Sequence, residues 1–245
     1  IVILCNTDGE ENRKKVVFFL FLPSVKYQRK TFHYNMISIV IPIHPDETTA
    51  GITHCIEDIQ RKTSNHNHLD KIVLVSEKDL SSFNQPLVAS FQYPQLNRAT
   101  AMNRGFEKTN SKIVIFLHLD TTLPQNYDTL VIDKLKTNNF CCFKLSFDVK
   151  NSALKLVEKS VNHFRNFPYG DQCFCLNSTY HRKIKMFPEI PFMEDFKYVE
   201  KHLQPEERYQ VIDAHIVTSA RRFKSQKGYS NKSVFSNVQN NRRLI

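Results

Sequence analysis

Three short apolar runs constrain this chain more than anything else in it. They are Ile37-Ser38-Ile39-Val40-Ile41-Pro42, Lys71-Ile72-Val73-Leu74-Val75 and Lys112-Ile113-Val114-Ile115-Phe116-Leu117. Each is rich in β-branched residues and lacks the polar alternation of a half-solvated strand. Strands covered on both faces read this way, and they are typical of parallel sheets. Between the first two runs, Ile52, Cys55, Ile56 and Ile59 recur at helical spacing, which predicts a helix over 46–62. A short strand over 87–92 and a helix over 97–108 separate the second run from the third. Strand and helix in this order imply parallel βαβ units with right-handed crossovers. Sheets of that kind bind ligands beyond the carboxyl ends of their strands. Those ends carry the polar clusters 44–47, 76–79 and 118–122.

The second half reads as mixed, with strands over 138–149, 171–176 and 209–217 and helices over 153–166 and 194–202. Residues 1–35 read as an irregular extension, 36–224 as a single domain and 225–245 as a flexible basic tail. A chain that begins at Ile1 reads as a fragment or processed product, with no signal peptide to judge. Val16 to Leu22 is a strongly apolar run far short of the ~20 residues a spanning helix needs.

Charge is distributed unevenly. Residues 1–35 hold six Lys/Arg against three Asp/Glu, residues 218–245 hold seven against none, and 36–217 balance at 21 of each. The basic character of the +10 chain therefore lies in its flanks. Such flanks suit peripheral contact with an anionic membrane, or simple solubility, and the neutral centre argues against a nucleic-acid partner. The six cysteines, at 5, 55, 141, 142, 173 and 175, form no C-x-x-C pair. They read as reduced, half-buried thiols in a cytoplasmic location.

Several side chains carry potential chemistry, each with a plainer alternative. His118-x-Asp120, directly after a buried strand, suits a divalent cation bridging phosphate oxygens. Asp120 equally suits the cap of the next turn. Glu194 and Asp195 offer a general base for an acceptor hydroxyl, or a favourable charge at a helix start. Gly170-Asp171-Gln172 offers a polar loop toward a substrate, or a turn. Arg98, with Asn103 and Gly105 on the same helix, offers a guanidinium for a phosphate, or a solvated face with Gly105 relaxing a turn. His44 and Asp46 offer contacts to a base or sugar, or an N-cap at Asp46. His163, His181, His202 and His215 have no ligand spacing and read as ordinary residues.

Taken in order, these strings resemble a family: Ser38-Ile39-Val40-Ile41-Pro42, Arg98-Ala99-x-x-Met102-Asn103-x-Gly105, Phe116-Leu117-His118-x-Asp120-Thr121, Gly170-Asp171-Gln172, Phe187-Pro188-Glu189-Ile190-Pro191-x-Met193-Glu194-Asp195 and Thr218-Ser219-Ala220-Arg221-Arg222. The chain resembles family 2 glycosyltransferases, and more closely the subfamily described as radical-SAM/selenodomain-associated transferases. The resemblance implies a GT-A fold: an α/β, Rossmann-like, mostly parallel central sheet flanked by helices, with a mixed acceptor-side half. It implies a metal-dependent inverting transferase that uses a nucleotide-sugar donor, Mg²⁺ or Mn²⁺, and an unidentified hydroxyl acceptor. By position, Asp46 contacts the nucleotide base, Arg98 and Asn103 serve the donor, and Asp120 with His118 holds the metal. Asp195, beside Glu194, is the catalytic base, and Asp171 and Gln172 face the acceptor. Ser76 and Glu77 stand in the donor loop. There the family has Asp-Gly-Gly-Ser where this chain has Ser76-Glu77-Lys78-Asp79, and Glu77 or Asp79 takes the place of the missing Asp. Thr100 and Ala101 likewise stand where the subfamily often has Arg-Gln. The altered loop motivates an alternative: a degenerate, non-catalytic protein that kept the fold and lost donor affinity.

Overall fold

The computed structural model describes residues 36–163, 168–202 and 209–223. The expected extension and the basic tail lie outside them. Strands β1 (Ile37–Ile43), β2 (Leu69–Ser76), β3 (Val88–Gln92) and β4 (Ile113–Phe116) form a parallel set in the order β3-β2-β1-β4. Helix α1 (Thr49–Lys62) links β1 to β2, and α2 (Arg98–Glu107) links β3 to β4. The sheet then continues through β7 (Phe174–Asn177), β6 (Phe140–Phe147), β8 (Gln210–Thr218) and the two-residue β5 (Thr121–Thr122). β7 is antiparallel to both β4 and β6, and β8 is parallel to β6. The first half is thus parallel and the second mixed. Helices α3 (Tyr127–Leu135), α4 (Ser152–His163), α5 (Ser178–Lys183) and α6 (Glu194–His202) complete the described elements.

Residue parity along the strands sorts the core into two layers. Ile37, Ile39, Ile41, Ile72, Leu74, Ile113 and Ile115 face one cluster, which includes Ile52, Cys55, Ile56 and Ile59 of α1. Val40, Val73, Val75, Val114 and Phe116 face the other, with Ala99, Met102 and Phe106 of α2 and Tyr198 of α6. Both faces of the central strands are therefore covered, as their unbroken apolar runs require.

Several boundaries differ from the sequence reading. Helix α1 begins at Thr49 because Thr48 is its N-cap, its side chain accepting from Gly51 N–H at 3.1 Å. Asp46 lies ahead of it in the loop. The strand expected over 171–176 starts later, since Gly170–Gln172 forms a 3-10 turn closed by Cys173 N–H donating to Gly170 O. Helices α3 and α5 lie in segments for which the sequence reading gave no element. The five described cysteines are free and buried.

Gly105 does not relax a turn. A Cβ placed there would stand 2.4 Å from Val40 Cγ1 and 3.0 Å from Val75 Cγ2. The glycine lets α2 lie directly on β1 and β2. In an exposed helix, Gly to Ala gains about 1 kcal/mol. Here overpacking, typically about 1–3 kcal/mol, opposes that gain. Gly105→Ala is therefore expected to lower the urea midpoint with an unchanged m-value. A raised midpoint would mean that the helix–sheet contact is looser than described.

Candidate active site

The carboxyl ends of β1 and β4 are adjacent, and the polar segments 44–47 and 118–120 emerge from them. Antiparallel pairing brings a third segment to the same edge. Phe116 at the end of β4 lies opposite Phe174 at the start of β7, so the Gly170–Gln172 turn arrives beside His118. His118 Nδ1 lies 3.3 Å from Asp171 Oδ1. A fourth segment follows β8: Thr218 pairs with Thr121, and Ser219 N–H donates to Asp120 O at 3.1 Å.

The start of α6 closes on this edge. Glu194 and Asp195 occupy its first turn, where the helix dipole favours negative charge. Asp195 Oδ2 accepts from Gly170 N–H at 2.8 Å, and its Oδ1 accepts from Phe196 N–H at 2.8 Å. Gly170 is needed for this approach, because a Cβ there would stand 3.0 Å from Asp195 Oδ2. Arg98 Nε hydrogen-bonds to Glu194 Oε1, and Arg98 Nη2 lies 3.7 Å from Asp195 Oδ1. Burial opposes the charge of Arg98, but the carboxylates of Asp195 and Glu194 outweigh it and raise the guanidinium above its ordinary pKa. The backbone on either side is strained. Met193, just before the acidic pair, and Cys173, just after the turn, have φ of 61° and 61°. Non-glycine residues held there cost roughly 1–3 kcal/mol each and cluster at functional sites.

The expected site residues thus fall into distinct settings. Arg98, Glu194, Asp195 and the Gly170–Gln172 turn come together, with His118 joined through Asp171. Arg98 pairs with two carboxylates rather than standing open for a phosphate. Asp120 lies 3.2 Å from Arg221 Nε instead of beside a cluster of ligands. Among the described residues, no group of three or more His, Cys, Asp or Glu side chains is arranged to hold a metal.

Other expected contacts have structural posts. The Asn103 amide donates to Phe187 O at 2.9 Å and accepts from Phe187 N–H at 3.1 Å, bracing the Phe187–Glu194 stretch against α2. Buried Gln172 donates to Phe143 O and accepts from Tyr169 N–H. Buried Ser76 accepts from Lys78 N–H. Glu77 Oε1 accepts from Leu96 N–H, and Asp79 accepts from Ser81 N–H. Asp46 is almost fully exposed beside His44. Two residues that no expectation assigned a role also stand here: Glu47, whose carboxylate meets Arg221, and Lys78, whose Nζ donates to the carbonyls of Pro45 and Glu47.

The architecture has solved relatives. The structure of GalNAc-T7 with UDP, GalNAc and Mn²⁺ superposes with a TM-score of 0.59 at 12% identity, over 76% of this chain and 44% of that one. The structure of S. aureus TarS 1–349 gives 0.55 at 15%, over 75% and 60%. A further TarS structure gives 0.58 at 13%, over 76% and 37%. The fold is that of GT-A glycosyltransferases. The chain spans less than two thirds of the length of each of these neighbours. At these identities the likeness concerns the fold alone. No protein-family profile and no curated protein matches the sequence, so the narrower radical-SAM-associated resemblance has no independent support. Among the described residues, no helix is long and apolar enough to cross a membrane.

Proposed function

We propose that the protein transfers a sugar, with inversion, from a nucleotide-sugar donor to a hydroxyl acceptor. The observation that carries this reading is the seating of Asp195. Its carboxylate is held by Gly170 N–H and Phe196 N–H beside Arg98, at the carboxyl edge of a GT-A sheet. Each carboxylate oxygen has two lone-pair directions, so each keeps one beyond its backbone partner. Asp195 takes the acceptor proton as the acceptor oxygen bonds to the anomeric carbon. The bond from that carbon to the phosphate oxygen breaks on the opposite face, and a nucleoside diphosphate leaves. Glu194 and Arg98 fix the orientation of the base. Asp171, facing His118, belongs to the acceptor side of the same reading, while buried Gln172 anchors the turn that carries it.

The loop after β4 supplies one carboxylate and one imidazole toward a divalent ion, and any further ligands would have to come from the donor and water. Mg²⁺ sites of this kind use one or two carboxylates, with phosphate and water completing the shell. Asp120, with His118, would hold Mg²⁺ or Mn²⁺, which would supply charge stabilisation to the departing diphosphate. A cytoplasmic setting, with the basic flanks on anionic membrane, belongs to this reading too.

One observation favours a second reading, a non-catalytic protein of the same fold. The side chains of the donor loop, Ser76, Glu77 and Asp79, are all engaged within the protein. Thermal unfolding with Mn²⁺ and a panel of nucleoside diphosphates separates the two. A ligand at ~100 times its dissociation constant adds about 2.7 kcal/mol, a shift of several degrees. A metal-dependent shift with one diphosphate supports the transferase and identifies the donor base. No shift with any of them favours the second reading.

A further inference from the structure

The string Thr218-Ser219-Ala220-Arg221 has no part in the chemistry described so far, yet it ends at the same edge. The chain leaves β8 alongside the His118–Thr122 segment, tied by Ser219 N–H to Asp120 O. Arg221 then turns its guanidinium back across the sheet ends. Nη2 donates to Glu47 Oε1 at 2.8 Å, and Nε lies 3.2 Å from Asp120 Oδ2. Glu47 belongs to the loop after β1 and Asp120 to the loop after β4. Arg221 therefore bridges the ends of two adjacent parallel strands, where ligands of such sheets bind. Lys78 holds the backbone beneath Glu47 through the carbonyls of Pro45 and Glu47.

The contrast with Arg98 is one of availability. The Arg98 side chain is 36% exposed and faces two carboxylates of α6; that of Arg221 is 60% exposed. Its Nε and Nη2 edge is held, while Nη1 takes no hydrogen bond among the described residues.

We propose that Arg221 is the residue that meets the diphosphate of the donor, the place the sequence reading gave to Arg98. This rests on the glycosyl-transfer reading above. A planar guanidinium suits phosphate recognition, and one already oriented on an edge loses less rotamer freedom on binding. Glu47 and Asp120 balance the charges of Arg221 and Lys78, so the place has no net positive charge of its own. A divalent cation there would favour the binding of a diphosphate.

The test is calorimetric titration with inorganic pyrophosphate and with nucleoside diphosphates, each with and without Mn²⁺. The proteins are the full chain, Arg221→Met, Arg221→Lys and, as a control for general charge loss, Arg104→Met. With Mn²⁺ present, Arg221→Met is expected to lose about tenfold or more in affinity for every diphosphate, the scale of a hydrogen bond to a charged group. Arg221→Lys should fall between, since it keeps the charge and loses the fork, and Arg104→Met should match the parent. Melting temperatures should stay close to the parent, because exposed ion pairs contribute about 0–1 kcal/mol. If the parent binds diphosphates and Arg221→Met binds them equally well, the assignment of Arg221 is overturned and the transfer reading stands. If the parent binds none, the transfer reading falls and takes the assignment with it.

Discussion

Asp195→Asn is expected to lose glycosyl transfer by roughly 10²–10⁴-fold, the range over which a positioned general base contributes. The assay is release of nucleoside diphosphate from a nucleotide sugar, with water or an added alcohol as acceptor. The substitution is not silent in the structure, and that shapes the controls. Gly170 N–H and Phe196 N–H donate to different oxygens of Asp195, and an asparagine has only one oxygen. One N–H then faces an NH₂ group, at a cost of about 1–3 kcal/mol in stability. The melting temperature should therefore fall modestly, while the Mn²⁺-dependent shift on adding diphosphate is retained. Glu194→Gln is the useful comparison. Glu194 is buried and its carboxylate meets Arg98, so its loss should register chiefly in stability. Turnover by Asp195→Asn close to that of the parent would remove Asp195 as the base.

The parallel half of the fold was legible because its central strands β1, β2 and β4 are buried on both faces. Apolar, β-branched residues dominate them, with Ser38 and Ser76 as buried polar exceptions, and their ends lead into the polar segments. Helix α2 was legible to within one residue at each end, the expected span 97–108 including its N-cap Asn97 and its C-cap Lys108; the reciprocal cap of Asn97 and Thr100 is seen only in the fold. Helix α3 was not, although Tyr127, Val131 and Leu135 repeat every four residues. Its N-cap position, Asn126, has φ of 56° and makes no side-chain cap bond, so the usual start signal is missing. Helix α5 has six residues, too few for a periodic pattern to show.

In the site, local strings were readable and long-range partners were not. His118-x-Asp120, Gly170-Asp171-Gln172 and Glu194-Asp195 are each contiguous. Arg98 and Glu194 lie 96 positions apart, and Arg221 and Glu47 lie 174 apart. Only the fold decides which carboxylate meets which guanidinium. That is why the string around Arg98 suggests a phosphate contact while the fold pairs it with the acidic turn of α6, and why the string around Arg221 carries no role until its partners are seen.

His181 is another residue whose position only the fold discloses. It is fully buried and packed against the rings of Phe106, Phe116, Phe187 and Tyr198. Its Nδ1 lies 2.6 Å from Tyr198 Oη, and its Nε2 has no partner among the described residues. Burial, with Arg182 and His202 nearby, lowers its pKa to about 3 from the ordinary 6.5. The unfolded chain thus binds a proton between those values that the folded chain refuses. Stability contributed by neutral His181 is fully present above pH 6.5 and is lost progressively as pH falls toward 3. The slope approaches about 1.4 kcal/mol per pH unit, that of one proton. His202 is lowered in the same direction by burial and by Lys201 and Lys185, so it adds to the loss in the upper part of this window. Urea unfolding of His181→Gln from pH 7 to pH 4 should show a visibly flatter dependence than the parent. A glutamine amide can accept from Tyr198 Oη–H through its oxygen or donate to Tyr198 Oη through its NH₂ group, so the variant should lose little at pH 7 beyond the repacking of a smaller side chain. Equal slopes for the two proteins would mean that His181 becomes protonated within the fold, and that the aromatic cage admits water.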